Sequence, residues 1–564
     1  MEKKSSINNT NSEFPWQKCY PEGVDWAGEF VGKPHFQLLD QSVSTYSSLT
    51  CTSFLGKDIT YQEIGTRVNK LAAALQEMGI GKGDKVGLFL PNSPTYVCFY
   101  FAILKTGATV VNYNPLYTVE ELSFQVTNSE TSLMVTLDLG LLFDKCETLM
   151  VNNVLSRTIV ASFPSLLPPV KSLLFKLFKG KDLAKISASS QVDKCIFEED
   201  LLETNATLSP VEITPETDIA VLQYTGGTTG RPKGAMLTHK NISIQTEQIM
   251  RACLTLRRGE EVTMGILPFF HVFAMTVVLN LGIGIGARLL LMPKFEMKDA
   301  LKLMLKERPT LMPGVPTLFN ALCNLDKAPI EELKHLRLCI SGGAPLPPDL
   351  IDEFAQICPA TLVEGYGLSE TSPVLTCNPP TGVMKPGSIG IPLPNTIISI
   401  RSLEDPSIEM PLGEKGEICA TGPQVMPGYW NAKEETDNVF VGEFFRTGDI
   451  GYIDEDGYTF IVDRLKDLII SSGYNIYPRH VEDAIYKHEA VEEVTVIGVP
   501  DDYKGEAPKA FVKLKEGRSL SSDELMAFLK DKLTKIELPE DIEFREELPK
   551  TMVGKLSKKE LRDD

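Results

Sequence analysis

The stretch YTGGTTGRPKGAMLTH, Tyr224 to His239, decides how this chain is read. It gathers glycines and threonines around Arg231 and Lys233. Glycines let backbone N–H groups converge on an anion, and the hydroxyls of Thr225, Thr228 and Thr229 add donors. The loop therefore suits phosphates. It is not a Walker A loop: Lys233 follows Gly230 by three residues, Pro232 intervenes, and Gly234 stands where a magnesium-binding hydroxyl belongs. That spacing argues against a P-loop ATPase or kinase. The preceding IAVLQYT (Ile219–Thr225) reads as the strand that delivers the loop.

Outward from the loop, the chain alternates helical and strand patterns. Residues 58–150 contain VNKLAAALQEMG (Val68–Gly79) with helical spacing and a glycine stop. KVGLFLP (Lys85–Pro91) reads as a buried strand, and VCFYFAILKTGATVVNYNP (Val97–Pro115) as helix, Gly107, then strand. A second alternating block, from about 217 to 345, includes RLLLMP (Arg288–Pro293) and LRLCISGG (Leu336–Gly343). Such alternation predicts parallel sheets with crossover helices. From 386 to 463 short β runs are broken by turns, which predicts a β-rich subdomain. After VDRLKD (Val462–Asp467) the pattern resets into a small α+β unit. The expected fold class is α/β: two βαβ-type subdomains plus a β-rich one in residues 1–463, a hinge at 464–467, and a small mobile α+β domain over 468–564.

Bulk composition narrows the function classes. The 564 residues carry a net charge of −19, which disfavours nucleic-acid binding because phosphate backbones would repel the protein. The 11 cysteines form no C-x-x-C pair and read as buried thiols of a reducing compartment. No histidine pair makes a zinc motif. The N-terminus has no apolar signal core, so the expected location is cytoplasmic. Gly265–Ala287 lacks charged residues, but Pro268, His271, Asn280 and its glycines favour a buried strand–loop–helix over a membrane span. One segment stands apart: FPSLLPPVKSLLFKLFKGKDLAK, Phe163 to Lys185. Helical spacing puts Val170, Leu173, Leu174, Leu177 and Phe178 on one face and Lys171, Ser172, Lys176 and Lys179 on the other, with Phe175 at the boundary. It reads either as a contact for the anionic inner face of a membrane or as a helix packed on its own domain.

YTGGTTGRPKG resembles the phosphate-binding signature of the adenylate-forming superfamily: acyl- and aryl-CoA synthetases, luciferases and amino-acid-activating adenylation domains. Further motifs follow in that superfamily's order. They are SGGAPLP (Ser341–Pro347), EGYGLSET (Glu364–Thr371), GEICATGPQVMPGYW (Gly416–Trp430), FRTGD (Phe445–Asp449), VDRLKDLIISSGYNIYP (Val462–Pro478) and LPKTMVGK (Leu548–Lys555). The resemblance spans roughly residues 40–560. LPFFHVFAMT, MPGVPTLFN and PGSIGIPLPNT look like bacterial long-chain fatty-acid–CoA ligases.

The resemblance implies ATP, coenzyme A and a fatty acid as substrates, with magnesium as cofactor. By it, Thr225, Gly226, Gly227, Thr228, Thr229, Gly230 and Lys233 hold phosphates, and Glu370 with Thr225 holds the metal. Tyr366 resembles the aromatic that stacks on adenine, with Gly342, Gly343 and Ala344 opposite and Glu364, Gly365, Gly367 and Ser369 around it. Asp449 and Arg464 resemble the ribose contacts. Lys555 resembles the adenylation lysine that bridges carboxylate and α-phosphate. Lys466 matches the hinge about which the small domain turns, and Gly473 with Tyr474 the loop that serves coenzyme A. His271, Phe273, Met275 and Gly314 border the implied acyl site, with His271 also a candidate catalytic group. Gly282 and Gly284 are further small residues expected along the acyl path, though glycines serve tight packing equally well.

Two departures stand out. Met275 aligns where some long-chain relatives carry a gate tryptophan, and LTKIELP (Leu533–Pro539) lacks the usual tyrosine and basic residue before its proline. No aspartate stands near His271, which argues against an amino-acid substrate. Medium-chain or aryl acyl-CoA ligases and acyl-AMP ligases that charge a carrier protein remain alternatives. A catalytically silent lipid-binding protein would be expected to have lost Lys555, Glu370 or Asp449, and all three are present. Homo-oligomers are common in the superfamily, so a homodimer is a further expectation.

Overall fold

Local signals set the helices. Ser93 accepts a hydrogen bond from the Tyr96 N–H, Pro94 fills the first turn, and Gly107 closes the helix Pro94–Thr106 with φ 81°. Only glycine takes that left-handed cap without strain. Every residue of this helix is buried, as its run of apolar and aromatic residues on all sides requires, and Lys105 near its end is paired with Asp40. The helix Tyr61–Glu77 starts with a reciprocal cap between Thr60 and Glu63.

The computed structural model describes residues 14–225, 232–471, 474–501, 504–550 and 556–562. Among them, one sheet has seven strands in the order Cys195–Phe197, Arg157–Ala161, Leu133–Leu137, Lys85–Leu88, Thr109–Asn112, Ile219–Thr225, Lys233–Thr238. All pairings are parallel except the last, where Thr225 faces Lys233 across the glycine-rich loop. A second sheet has nine strands. Its order is Ile391–Pro392, Val374–Cys377, Thr361–Gly367, Leu338–Ser341, Leu311–Gly314, Val262–Gly265, Arg288–Leu291, Thr50–Phe54, Lys57–Thr60.

Sheet membership does not follow the two alternating blocks. Ile219–Thr225, expected to open the second block, joins the first sheet by pairing Val110 with Val221. Thr50–Phe54 leaves the N-terminal region and pairs with Arg288–Leu291. Parallel neighbours need crossover connections of any sufficient length, so chain order does not fix sheet membership. One continuous apolar core links both sheets.

Gly265–Ala287 forms a strand end, a loop and a buried helical run with a π-turn at Met275–Asn280. Gly282 and Gly284 do not open a path. A side chain on Gly282 would meet Leu289 and one on Gly284 would meet Leu38, so both glycines serve close packing. No described helix is long and apolar enough to cross a membrane. The eleven cysteines are all free thiols.

The β-rich unit joins Ile397–Arg401, Gly416–Thr421, Phe444–Ile453, Phe440–Val441 and Thr459–Arg464 around its own core, which includes Trp16, Ile418 and Tyr458. From Ile469 onward a separate sheet and a separate core form, with Val491–Asp501 and Gly505–Leu514 as the long central hairpin.

Candidate active site

The site forms where the carboxyl ends of the strands in both large sheets meet the β-rich unit. Strand Thr361–Gly367 leads into EGYGLSET, and its neighbour Leu338–Ser341 ends at Gly342 and Gly343. Tyr366 donates its hydroxyl proton to Asp449 Oδ2 at 2.6 Å, and Arg464 Nε donates to Asp449 Oδ1 at 2.8 Å. Asp449 and Arg464 are cross-strand partners on Phe444–Ile453 and Thr459–Arg464, so sheet register alone brings them together. Asp449 is 2% exposed. Burial, with the Asp449 charge beside it, pushes the Tyr366 phenol well above its ordinary pKa, so it stays a donor.

Glu364 accepts from the Leu346 N–H at 3.1 Å. Burial lifts its carboxyl to about 7, against the pull of Arg479. Gly367 is required by space: a Cβ there would lie 1.8 Å from the Pro373 carbonyl oxygen. Gly342 faces the Phe273 ring in the same way, at 3.0 Å, while Gly343 sits at φ 80°.

Glu370 is 8% exposed and lies on the turn Ser369–Thr371. Thr225 Oγ1 stands 3.5 Å from its Oε1, which also accepts the Tyr429 hydroxyl at 2.8 Å. Tyr429 arrives because GYW runs beside the strand Lys233–Thr238: Ala235 bridges Tyr429, Met236 N–H donates to Gly428 O, and Trp430 N–H donates to Gly234 O. Lys233 Nζ lies 5.5 Å above the Tyr429 ring. Among the described residues no cluster of three or more His, Cys, Asp or Glu could cage a metal. One carboxylate plus one hydroxyl is nonetheless the donor set that suits magnesium when phosphates and waters complete its shell.

His271 caps the helical run that starts at Val272, its Nδ1 accepting from the Phe273 N–H at 3.4 Å. The loop before it is clamped from the first sheet. Asn92 binds the Gly265 and Leu267 carbonyls and the Phe269 N–H, Tyr96 binds the Phe269 carbonyl, and Gln223 the Phe270 carbonyl. His271 and Phe273 line a mostly apolar cavity of about 70 Å³ together with Gly342, Gly343, Gly365, Tyr366, Gly367 and Ser369. Ile249, Cys253, Val277, Cys377 and Leu393 also line it.

Two expected acyl-site residues stand elsewhere. Met275 is fully buried with its sulfur against Asn112, and Gly314 is packed under Leu318 and Phe319; neither lines this cavity. The helix phase turns Met275 away, because Phe273 takes the inward position. Tyr429 and several lining residues of the cavity were not foreseen from the sequence. Tyr429 lay inside a quoted motif, whereas Ile249 and Cys253 carry no motif and are found only through the fold.

Lys466 lies in the short turn Leu465–Asp467, its ammonium pKa lowered by burial and by Arg464. Beside it Arg562 pairs with Asp467 at 2.9 Å. Tyr474 opens the strand Tyr474–Ile476 and is exposed. Ala344 belongs to the loop after Gly343. Gly226, Gly227, Thr228, Thr229, Gly230, Gly473 and Lys555 lie outside the described residues.

Comparison with known proteins places the chain in a family. The AMP-binding enzyme family matches residues 39–430, and the AMP-binding enzyme C-terminal domain matches residues 480–555. A long-chain-fatty-acid–CoA ligase of Bacillus subtilis (strain 168) is 42% identical over 98% of both chains. A protein of the same name from Escherichia coli O6:H1 is 36% identical over 97% of this chain and 98% of its own. Among solved structures, ATP-bound MatB from Rhodopseudomonas palustris superposes with a TM-score of 0.81 at 28% identity, covering 94% of this chain and 98% of its own. The matched family covers well over half of the sequence, its C-terminal partner follows in order, and the chain belongs to the AMP-binding enzymes.

Proposed function

We propose that this protein is an AMP-forming long-chain fatty-acid–CoA ligase. The observation that carries the reading is the apolar cavity whose walls, Tyr366 and Gly342–Gly343, are also the expected walls of the nucleotide site. An acyl chain in that cavity would present its carboxylate beside the nucleotide. The full-length likeness to a ligase of that name supports the substrate class.

The chemistry has two halves. The carboxylate oxygen attacks the α-phosphorus of ATP, the bond to the bridging oxygen breaks, and pyrophosphate leaves with that electron pair. The thiolate of coenzyme A then attacks the acyl carbon, and AMP leaves as the thioester forms. Both halves need positioning and charge neutralisation more than covalent help. Asp449 takes the ribose hydroxyls, with Arg464 and Tyr366 holding its two oxygens. Tyr366 gives its ring face to adenine. Lys233 and the loop from Thr225 meet the phosphates. Lys555 is assigned the bridging of carboxylate and α-phosphate. Magnesium, held by Glu370 and Thr225, would neutralise phosphate charge. His271 and Phe273 separate the acyl group from the thiol's approach.

Lys466 is proposed as the hinge. Its turn joins the β-rich unit to the separately cored C-terminal sheet, and a few linker dihedrals suffice for a domain rotation. That rotation withdraws Lys555 and presents Gly473 and Tyr474 to coenzyme A.

The test is pyrophosphate release and acyl-CoA formation with ATP, magnesium, coenzyme A and saturated acids from butyrate to stearate, with Lys555→Ala alongside. Turnover strongest on laurate to stearate and reduced by about 10²–10³ in Lys555→Ala is expected, by analogy with a lost preorganised donor. Pyrophosphate release without acyl-CoA would point to a carrier-protein acceptor. No turnover with any acid would end the ligase reading.

A further inference from the structure

The segment Phe163–Lys185 is not consumed by the site. Its helix runs from Pro169 to Lys179. A helix with one apolar stripe ordinarily turns that stripe inward. This one turns it outward. Val170 is 71% exposed, Leu177 69% and Phe178 77%, with Leu173 and Leu174 exposed beside them. The residue that docks the helix is Phe175, read from sequence as the boundary residue. Its ring meets Phe163 at 5.0 Å between centroids and packs on the main core. Two lysines tie the attachment: Lys171 Nζ donates to Leu55 O at 2.6 Å and Lys57 Nζ to Ser165 O at 2.6 Å. The exposed stripe is thus held firmly, and Leu55 at its border is itself exposed.

Charge selects the partner. The chain carries −19 overall, yet Phe163–Lys185 holds Lys171, Lys176, Lys179, Lys181 and Lys185 against a single acid, Asp182. An apolar stripe flanked by cations on an acidic body fits a surface that is apolar inside and anionic outside. We infer that the helix Pro169–Lys179 is a docking element for an anionic lipid bilayer, with Val170, Leu173, Leu174, Leu177 and Phe178 entering the headgroup–acyl boundary and the lysines meeting lipid phosphates. A fatty acid, the substrate class proposed above, partitions into that same phase. Docking places the enzyme on its substrate's reservoir.

The experiment is vesicle flotation of the full-length protein without ATP or fatty acid, so its outcome is separate from that of the turnover assay. Vesicles of phosphatidylcholine are compared with vesicles containing phosphatidylglycerol. The wild type is expected to float with the anionic vesicles and to be released by high salt. Leu177→Glu with Phe178→Glu is expected to weaken that binding by about 100-fold, from the lost apolar burial. Lys176→Glu with Lys179→Glu is expected to weaken it by about 30-fold. Neither pair touches the core or the lysines that tie the helix down, so thermal midpoint and turnover on octanoate should stay at wild-type values. Equal flotation of wild type and variants, or none by the wild type, overturns the proposal. A wild-type dimer that both pairs convert to monomer, without vesicle binding, assigns the stripe to a second copy of the chain and overturns it as well.

Discussion

The Tyr429 hydroxyl donates to Glu370 Oε1 at 2.8 Å while Lys233 rides above the same ring. One phenol thus aims the expected metal-binding carboxylate and braces the expected phosphate cation. Burial, and then the Glu370 charge, push its pKa up, so it remains a donor throughout the working range. Tyr429→Phe keeps the ring and removes only the donor. The magnesium concentration for half-maximal pyrophosphate release should rise about 10-fold, the lower end for a lost supporting hydrogen bond. The variant's thermal midpoint should barely change.

Asp449 is the shared acceptor of Tyr366 and Arg464. Asp449→Ala removes two hydrogen bonds in which the acceptor is charged, and with them the proposed ribose contact. At about 1.5–3 kcal/mol for such a bond, the KM for ATP should rise about 10- to 100-fold. Steady-state kinetics with ATP varied checks this, and an unchanged KM would remove Asp449 from the nucleotide site.

The apolar residues that line the cavity should set how much acyl chain fits. Cys253→Phe adds a ring there. Turnover of palmitate relative to octanoate should fall about 10-fold, as for a pocket that loses space for several methylenes. An unchanged ratio would place the chain elsewhere.

Gly367→Ala has no room, because its Cβ would lie 1.8 Å from a backbone oxygen. Backbone yields less than a side chain, so the cost should exceed about 3 kcal/mol. Differential scanning fluorimetry should show a clear fall in midpoint, with loss of activity.

A buried histidine pair predicts acid lability. His35 N–H donates to His239 Nδ1 at 3.0 Å. Burial lowers His35 from 6.5 to about 4 and His239, also repelled by His35, to about 3. The unfolded chain therefore binds protons that the folded chain refuses. Neither group affects stability above the unfolded value of 6.5; stability falls as pH drops below it, by about 3 kcal/mol for His35 at pH 4. His35→Phe should flatten the decline of the thermal midpoint between pH 6.5 and 5.

Much of the site was legible because it is built from contiguous motifs. EGYGLSET and FRTGD carry Tyr366, Glu370 and Asp449, and β-register then joins Asp449 to Arg464. What stayed hidden depends on long-range packing. Ile219–Thr225 changed sheets, and Thr50–Phe54, which lay outside both blocks, joined the second sheet; strand pattern alone encodes neither. Met275 and Gly314 were placed by motif adjacency, but helix phase and local packing turn them from the cavity. The stripe on Pro169–Lys179 was read correctly as a stripe. Its direction stayed open, since periodicity says which residues share a face and not which face meets the body.

The pairing of Thr52 with Leu289 also bears on how the chain is made. Thr50–Phe54 leaves the ribosome early, and its parallel partner Arg288–Leu291 emerges only after the first sheet's strands through Lys233–Thr238 have appeared. That first sheet can close around its own helices while the early strand waits with an open edge, the kind that recruits other chains. A nascent product truncated before Arg288 would carry the open edge permanently. Aggregation of such fragments during synthesis, rather than of the finished protein, is where this topology is most exposed.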